Sequence, residues 1–342
     1  MSLRKKLMYF DMRDWLYSKL RWKRWSMLDI CPTWKCNSKC PTCGAWTRDK
    51  HELSLAQTQH LVYDKRFSHL NHVYIEGGEP TLWTHLETYL DMFLASKPAA
   101  LVNIITNGFR VDYLENLGKK FIQTKDQIKF YISLNGYEEI HDASRGVKKA
   151  YERTTASVKI LKDMGYFIQL PCVVFDQNLE AIDHVYKFAE EFNCEVGNCY
   201  STDYGRFKMD KGRWTTNRQD EIQQVYRRAL SHLKLIDHWA YDYFLTNAKK
   251  GNTMPCYGGY RYVHVDPKGE LRPCLFDESM RIGKVTDDGV EIDDQGFKDA
   301  LRRIPNKCQY TGDQICDDCL IRKSIRSNIG RVIGWKLRKS LS

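Results

Sequence analysis

The sequence predicts an α/β protein: a partial (β/α)6, TIM-like barrel followed by a small, cysteine-rich α+β module. Three observations point there. Short apolar runs alternate with longer, helix-periodic ones between residues 27 and 200. Polar and glycine motifs fall at the ends of successive short runs. From about residue 251 the texture changes and cysteines cluster. The composition supports a folded core: 42% of the 342 residues are apolar and 28% are charged, which excludes a disordered or collagen-like chain. No apolar run is long enough to span a bilayer. Arg4, Lys5 and Lys6 are not followed by the apolar core of a secretory signal, so a cytoplasmic location is expected.

The predicted strands are Met27–Cys31, His72–Glu76, Val102–Thr106, Ile128–Ser133, Phe167–Val174 and Cys194–Ser201. They are rich in Ile, Val, Tyr and Phe and too short for helices. Helices are predicted at Leu53–Lys65, Leu86–Ala95, Asp112–Phe121, Ala150–Met164 and Leu179–Phe192. In the fourth, Ala150, Thr154, Val158 and Leu161 recur at helical spacing. This alternation implies right-handed βαβ units and a parallel sheet, and six strands imply an open barrel rather than the closed eight-unit form. The barrel is assigned to residues 26–215, behind a basic amphipathic extension (1–25). A linker with a helix at Asp220–Leu235 occupies 216–250. The cysteine-rich module takes 251–320, with Asp266-Pro267-Lys268-Gly269 as a hairpin turn, and a basic tail takes 321–342.

Charge follows the same division. The net charge is +10, but residues 1–35 contribute +6 and residues 320–342 contribute +7, leaving −3 on the body. A basic balance confined to the ends does not describe a nucleic-acid-binding body. The first 25 residues set Trp15, Trp22 and Trp25 among lysines and arginines, and the tail repeats Ile or Leu every fourth position from Ile321. Such ends suit peripheral contact with an anionic membrane, or docking on the barrel with the charges facing water.

Four motifs end four successive strands. Cys36-Asn37-Ser38-Lys39-Cys40-Pro41-Thr42-Cys43 places three thiols in one loop, a set that can hold three irons of a cubane and leave the fourth open. A zinc knuckle with a distant fourth ligand fits the same spacing. Gly77-Gly78-Glu79-Pro80 offers backbone that a ligand can approach closely. Thr106-Asn107-Gly108 and Ser133-Leu134-Asn135-Gly136, the latter trailed by His141-Asp142 and Arg145-Gly146, supply hydroxyl and amide groups. All four lie at C-terminal strand ends, the face on which parallel α/β proteins build active sites.

These motifs, in this order over residues 27–200, resemble the radical S-adenosylmethionine (SAM) superfamily. The resemblance implies that Cys36, Cys40 and Cys43 hold a [4Fe–4S] cluster whose open iron chelates SAM. It places Gly77, Gly78 and Glu79 at the SAM amino group, Ser133 and Asn135 near the ribose, and Arg145 at the carboxylate. It implies an enzyme of oxidoreductase type that reductively cleaves SAM to a 5′-deoxyadenosyl radical, which abstracts a hydrogen atom from substrate, with electrons from a donor such as flavodoxin or ferredoxin. Two departures stand out: Thr42 replaces the aromatic that usually precedes the third cysteine, and Asn135 stands where many relatives have Asp. Trp46 is a substitute for that aromatic or, more simply, a core residue.

Twelve cysteines in an unsecreted chain point to metal chemistry rather than disulfides. Cys256 and Cys274 flank Gly269 with spacing C-x12-G-x4-C, and Cys316 and Cys319 follow as C-x-x-C. A zinc ribbon has this form. The pattern also resembles the twitch domain, the short form of the SPASM domain, which implies a second, auxiliary [4Fe–4S] cluster ligated by Cys256, Cys274, Cys316 and Cys319. Cys308 is left over, and Cys172, Cys194 and Cys199 pack in strands. The auxiliary cluster would accept an electron after hydrogen removal, giving oxidative modification of a peptide or a carbohydrate-like small molecule. A non-catalytic zinc-binding or nucleic-acid-associated protein is the alternative.

Overall fold

The computed structural model describes residues 24–200, 224, 257–275, 277–303 and 333–338. The N-terminal extension up to Lys23, nearly all of the linker helix, Cys256, Cys308, Cys316, Cys319 and most of the tail lie outside the described residues.

Six parallel strands form in chain order: β1 (Met27–Ile30), β2 (His72–Ile75), β3 (Leu101–Thr106), β4 (Ile128–Ile132), β5 (Phe167–Val174) and β6 (Glu195–Tyr200). Their period-two alternation sorts the side chains. Leu28, Ile30, Val73, Ile75, Val102, Ile104, Phe130 and Ile168 join the main core. Asp29, Tyr74, Asn103, Lys129 and Phe167 form one register row on the opposite face. The helices covering the core are α1 (Leu55–Tyr63), α2 (Leu86–Ser96), α3 (Val111–Lys120), α4 (Glu138–Arg145), α5 (Ala150–Asp163) and α6 (Ile182–Glu191). A Ser54/Gln57 capping box starts α1. The helix α4 was not among the sequence expectations. Its polar run, EEIHDASR, carries no broad apolar stripe, and Gly146, in the left-handed region at φ 63°, ends it after two turns.

The C-terminal segment extends this sheet. Strand β7 (Tyr262–Val265) pairs parallel with β1, Met27 opposite Tyr262 and Ile30 opposite Val265. Strands β8 (Glu270–Arg272), β9 (Gly283–Val285) and β10 (Val290–Ile292) follow antiparallel, and α7 (Asp294–Arg303) comes next. The sheet order is β10-β9-β8-β7-β1-β2-β3-β4-β5-β6. The predicted hairpin turn lies between β7 and β8: Asp266 Oδ1 accepts from the backbone N–H of Lys268 at 2.9 Å and of Glu270 at 3.0 Å. Trp25 locks the junction by donating its indole N–H to the Gly259 carbonyl at 2.8 Å.

Candidate active site: a three-cysteine cleft

The loop carrying Cys36, Cys40 and Cys43 leaves the end of β1 and is held from three sides. At the β2 end, Gly78 N–H donates to the Thr33 carbonyl and Glu79 N–H to the Lys35 carbonyl, both at 2.8 Å. The approach is so close that a Cβ on Gly78 would lie 2.2 Å from the Lys35 oxygen. Gly77, at φ 125°, has the Thr33 oxygen and the Cys31 sulfur against it. The glycine pair therefore serves the seating of the cysteine loop, a use its sequence reading as a ligand-facing turn did not foresee. At the β3 end, Asn107 Nδ2 donates to Asn37 Oδ1 at 2.7 Å. At the end of α4, the Arg145 carbonyl accepts from Ser38 Oγ and Lys39 N–H, each at 2.9 Å.

Between these supports lies a cleft of about 180 Å³ at the C-terminal strand ends. Of the residues picked from sequence, Cys36, Cys40, Cys43, Gly77, Gly78, Glu79, Ser133 and Arg145 line it. Asn135 does not. It is buried, its Nδ2 donates to Ser144 Oγ at 2.9 Å and its Oδ1 accepts from Val173 N–H at 3.0 Å, so its amide ties the β4 turn to α4 and β5. Sequence reasoning passed over Ser38 and Glu76, which also line the cleft. Trp46 corrects the core reading: it lies on the cleft wall, 37% exposed, with its indole N–H on the Cys40 carbonyl at 3.2 Å. Its position three residues past the last cysteine was the available signal. Of the second cysteine group only Cys274 falls in the described residues, just past β8 and half-buried.

Glu79 organises the floor. Its buried carboxylate accepts at Oε1 from Thr81 Oγ1 (2.8 Å), Thr81 N–H (3.1 Å) and Thr106 Oγ1 (2.7 Å), and at Oε2 from Asn107 N–H (2.8 Å). Burial nonetheless raises its pKa above the ordinary carboxylate value. Burial, with lesser contributions from Glu79, Cys40 and Cys43, pushes the Cys36 thiol up to about 12. Loading these thiols with metal must displace protons. Beneath the turn, buried His141 accepts from Asn135 N–H at Nδ1 (3.1 Å) and faces Thr154 Oγ1 at 3.3 Å, while Thr154 donates to the Asn107 carbonyl at 2.8 Å. That chain calls for the neutral Nε2–H tautomer, and desolvation, then Arg145, holds the imidazole pKa well below its usual value.

Arg145 supplies the cleft's electrostatic demand. Its side chain is buried, Nη1 lies 3.7 Å from Cys40 Sγ, and Nε and Nη2 have no hydrogen-bond partner among the described residues. Buried unsatisfied guanidinium donors beside a cleft call for an anion such as a carboxylate. Among the described residues no three His, Cys, Asp or Glu side chains converge on a single ion site. A cubane makes no such demand, because it spreads its thiolates over separate irons. Cys36, Cys40 and Cys43 line the cleft together, and three thiols suit a cubane with one iron left for a ligand.

Residues 30–189 match the model of the radical SAM superfamily, and this stretch of the chain is a radical SAM domain. Among curated proteins, the antilisterial bacteriocin subtilosin biosynthesis protein AlbA of Bacillus subtilis (strain 168) is 24% identical over 317 residues, 86% of this chain and 67% of AlbA. The PqqA peptide cyclase of Gluconobacter oxydans (strain 621H) is 24% identical over 252 residues, 71% of this chain and 68% of that protein. The chain thus spans about two thirds of the length of these relatives. Among solved structures, Streptococcus suis SuiB bound to S-adenosylmethionine aligns over 88% of this chain and 72% of its own, at 15% identity and a TM-score of 0.63. That likeness establishes the shared fold. Radical SAM enzymes use S-adenosylmethionine and a [4Fe–4S] cluster, and the donor set of this cleft fits both.

Proposed function

We propose that this chain is a radical SAM enzyme that oxidatively modifies a peptide. The observation that carries the catalytic part is the meeting, in one cleft at the strand ends, of three loop cysteines with a buried guanidinium whose Nε and Nη2 lack partners among the described residues. The names of two relatives carry the substrate class: one is a biosynthesis protein for the bacteriocin subtilosin and one is a cyclase of the peptide PqqA. SuiB has also been solved with its precursor peptide SuiA. A carbohydrate-like small molecule is the second reading.

When bound, the cluster and SAM supply one-electron cleavage of the sulfonium and, through the fragment released, removal of a hydrogen atom from substrate. The chain's own residues bind and orient. Cys36, Cys40 and Cys43 hold the cluster, and the guanidinium of Arg145 takes the SAM carboxylate as a charge-assisted pair. The turn at Gly77, Gly78 and Glu79 receives the amino group, with Glu79 keeping that turn and the end of β3 in register. Ser133 reaches the ribose, and Asn135 braces the turn that carries it. Cys256, Cys274, Cys316 and Cys319 would hold an auxiliary cluster, which would supply an electron acceptor for an oxidative outcome, and a flavodoxin or ferredoxin would be the external donor.

The test is anaerobic and reductant-dependent. The reconstituted chain is expected to contain iron and sulfide for two cubanes and to release 5′-deoxyadenosine from SAM. Cys36→Ala stops that release, whereas Cys316→Ala still cleaves SAM and fails on substrate. Zinc in both sites, or undiminished cleavage by Cys36→Ala, overturns the reading.

A further inference from the structure

The three thiols are not equivalent. Cys40 is buried at 8% exposure, while Cys36 and Cys43 are half-buried. Cys40 Sγ has Ser38 Oγ at 3.0 Å and Arg145 Nη1 at 3.7 Å. Among the described residues, Cys36 Sγ accepts only a backbone N–H, from Ser38 at 3.4 Å. The buried Glu79 lines the same cleft, so an electron entering here meets thiolates and a carboxylate. The buried guanidinium on Cys40 opposes them, in a place where solvent screens little.

We infer that Arg145 sets the reduction potential of the iron–sulfur cluster held by Cys36, Cys40 and Cys43, raising it through its buried charge and its N–H contact with the Cys40 sulfur. This rests on the reading that those cysteines hold a cluster. Reduction adds one electron, and hence one negative charge, to a centre whose potential is governed by net charge and by hydrogen bonds to its sulfurs. A fixed cation beside a ligand sulfur stabilises the reduced form more than the oxidised one. Arg145 is thereby a positioning and tuning residue for the cluster as well as a contact for SAM.

The geometry also makes the side chain separable from the scaffold. The loop is tied to Arg145 through its carbonyl, which accepts from Ser38 Oγ and Lys39 N–H, and a side-chain substitution leaves that carbonyl in place. The experiment uses the full chain, reconstituted anaerobically, with no SAM added. The midpoint potential of the one-electron couple is followed by electron paramagnetic resonance in wild type, Arg145→Gln, Arg145→Lys and Lys39→Gln, the last an exposed-charge control. Arg145→Gln is expected to be about tenfold harder to reduce, a shift of about 59 mV to more negative potential. Arg145→Lys falls between it and wild type, and Lys39→Gln matches wild type. Equal potentials for wild type and Arg145→Gln at equal iron and sulfide content overturn the inference, as does an equal shift in Lys39→Gln. If Arg145→Gln takes up no cluster, Arg145→Lys decides: a lowered potential supports the assignment and a wild-type potential refutes it. Absence of a cubane in wild type itself defeats the parent reading instead, a separate result visible from metal content alone.

Discussion

Gly78 shows how much a single missing side chain carries. A methyl group there meets the Lys35 backbone rather than a yielding side chain, so Gly78→Ala must push the cysteine loop away. A cost of about 3 kcal/mol is expected from overpacking of this kind, read as a lower denaturation midpoint together with reduced iron uptake. His141 makes a different prediction. Its pKa is lowered in the folded state by desolvation first and Arg145 second. Below about pH 6.5, the ordinary imidazole value, the unfolded chain takes up a proton that the folded chain refuses, so stability falls as pH drops through that window. Thermal unfolding between pH 7.5 and 5 should show this loss, and His141→Gln, less stable at pH 7.5, should show a flatter slope. The glycines and the cysteine spacing were legible in the sequence. The neutral state of His141 was not, because it depends on burial by other elements and on the nearby Arg145 charge, and its tautomer on Thr154.

At the scale of elements, the site is a junction of strand ends stitched by one carboxylate. Glu79 gathers donors from its own turn and from the end of β3. Glu79→Ala leaves those donors buried without an acceptor, at about 3 kcal/mol in total for a network of this size. Glu79→Gln keeps an acceptor and should cost less. Urea denaturation of the two variants separates the cases, and equal losses would remove Glu79 from this bracing role. A second tie joins Lys35, at the mouth of the cysteine loop, to Glu52 at 2.8 Å, with Thr84 N–H on the other carboxylate oxygen at 3.1 Å. Although burial pushes the Glu52 pKa upward, the Lys35 and Thr84 bonds outweigh it and the net shift is downward. Its stabilisation is present above the ordinary carboxylate pKa and lost as pH falls through the lower folded value. For a half-exposed pair this amounts to about 0.5 kcal/mol. The order of strands and helices here was readable from periodicity. Helix α4 was not, since its eight residues, six of them polar, show no broad apolar stripe and its existence depends on packing against α5.

Across the whole molecule, β7 joins the barrel sheet at β1, and its hairpin partners share the main core. Val263, Leu271, Ile282 and Val285 are fully buried in the same cluster as Leu28, Ile75 and Phe130. Leu271→Ala is therefore expected to cost about 3 kcal/mol and to lower one cooperative transition that takes the barrel with it. A calorimetric trace in which only a separate, minor transition moves would show the C-terminal strands to be energetically independent. The sequence marked this region as a separate module because its texture changes near residue 251. Edge-to-edge pairing with a strand more than 200 positions earlier leaves no local trace.

Local spacing alone determined which cysteines share a loop, which segments alternate as strand and helix, and which end of the strands collects the polar turns. Those properties depend on residues a few positions apart, and the chain writes them directly. Tertiary structure alone decided that Arg145 lies on Cys40, 105 residues away, that Trp46 lines the cleft instead of filling the core, and that Asn135 faces inward. Each of these follows from how crossovers bring distant strand ends to a single rim, where burial and hydrogen-bond satisfaction are settled by neighbours that sequence distance conceals.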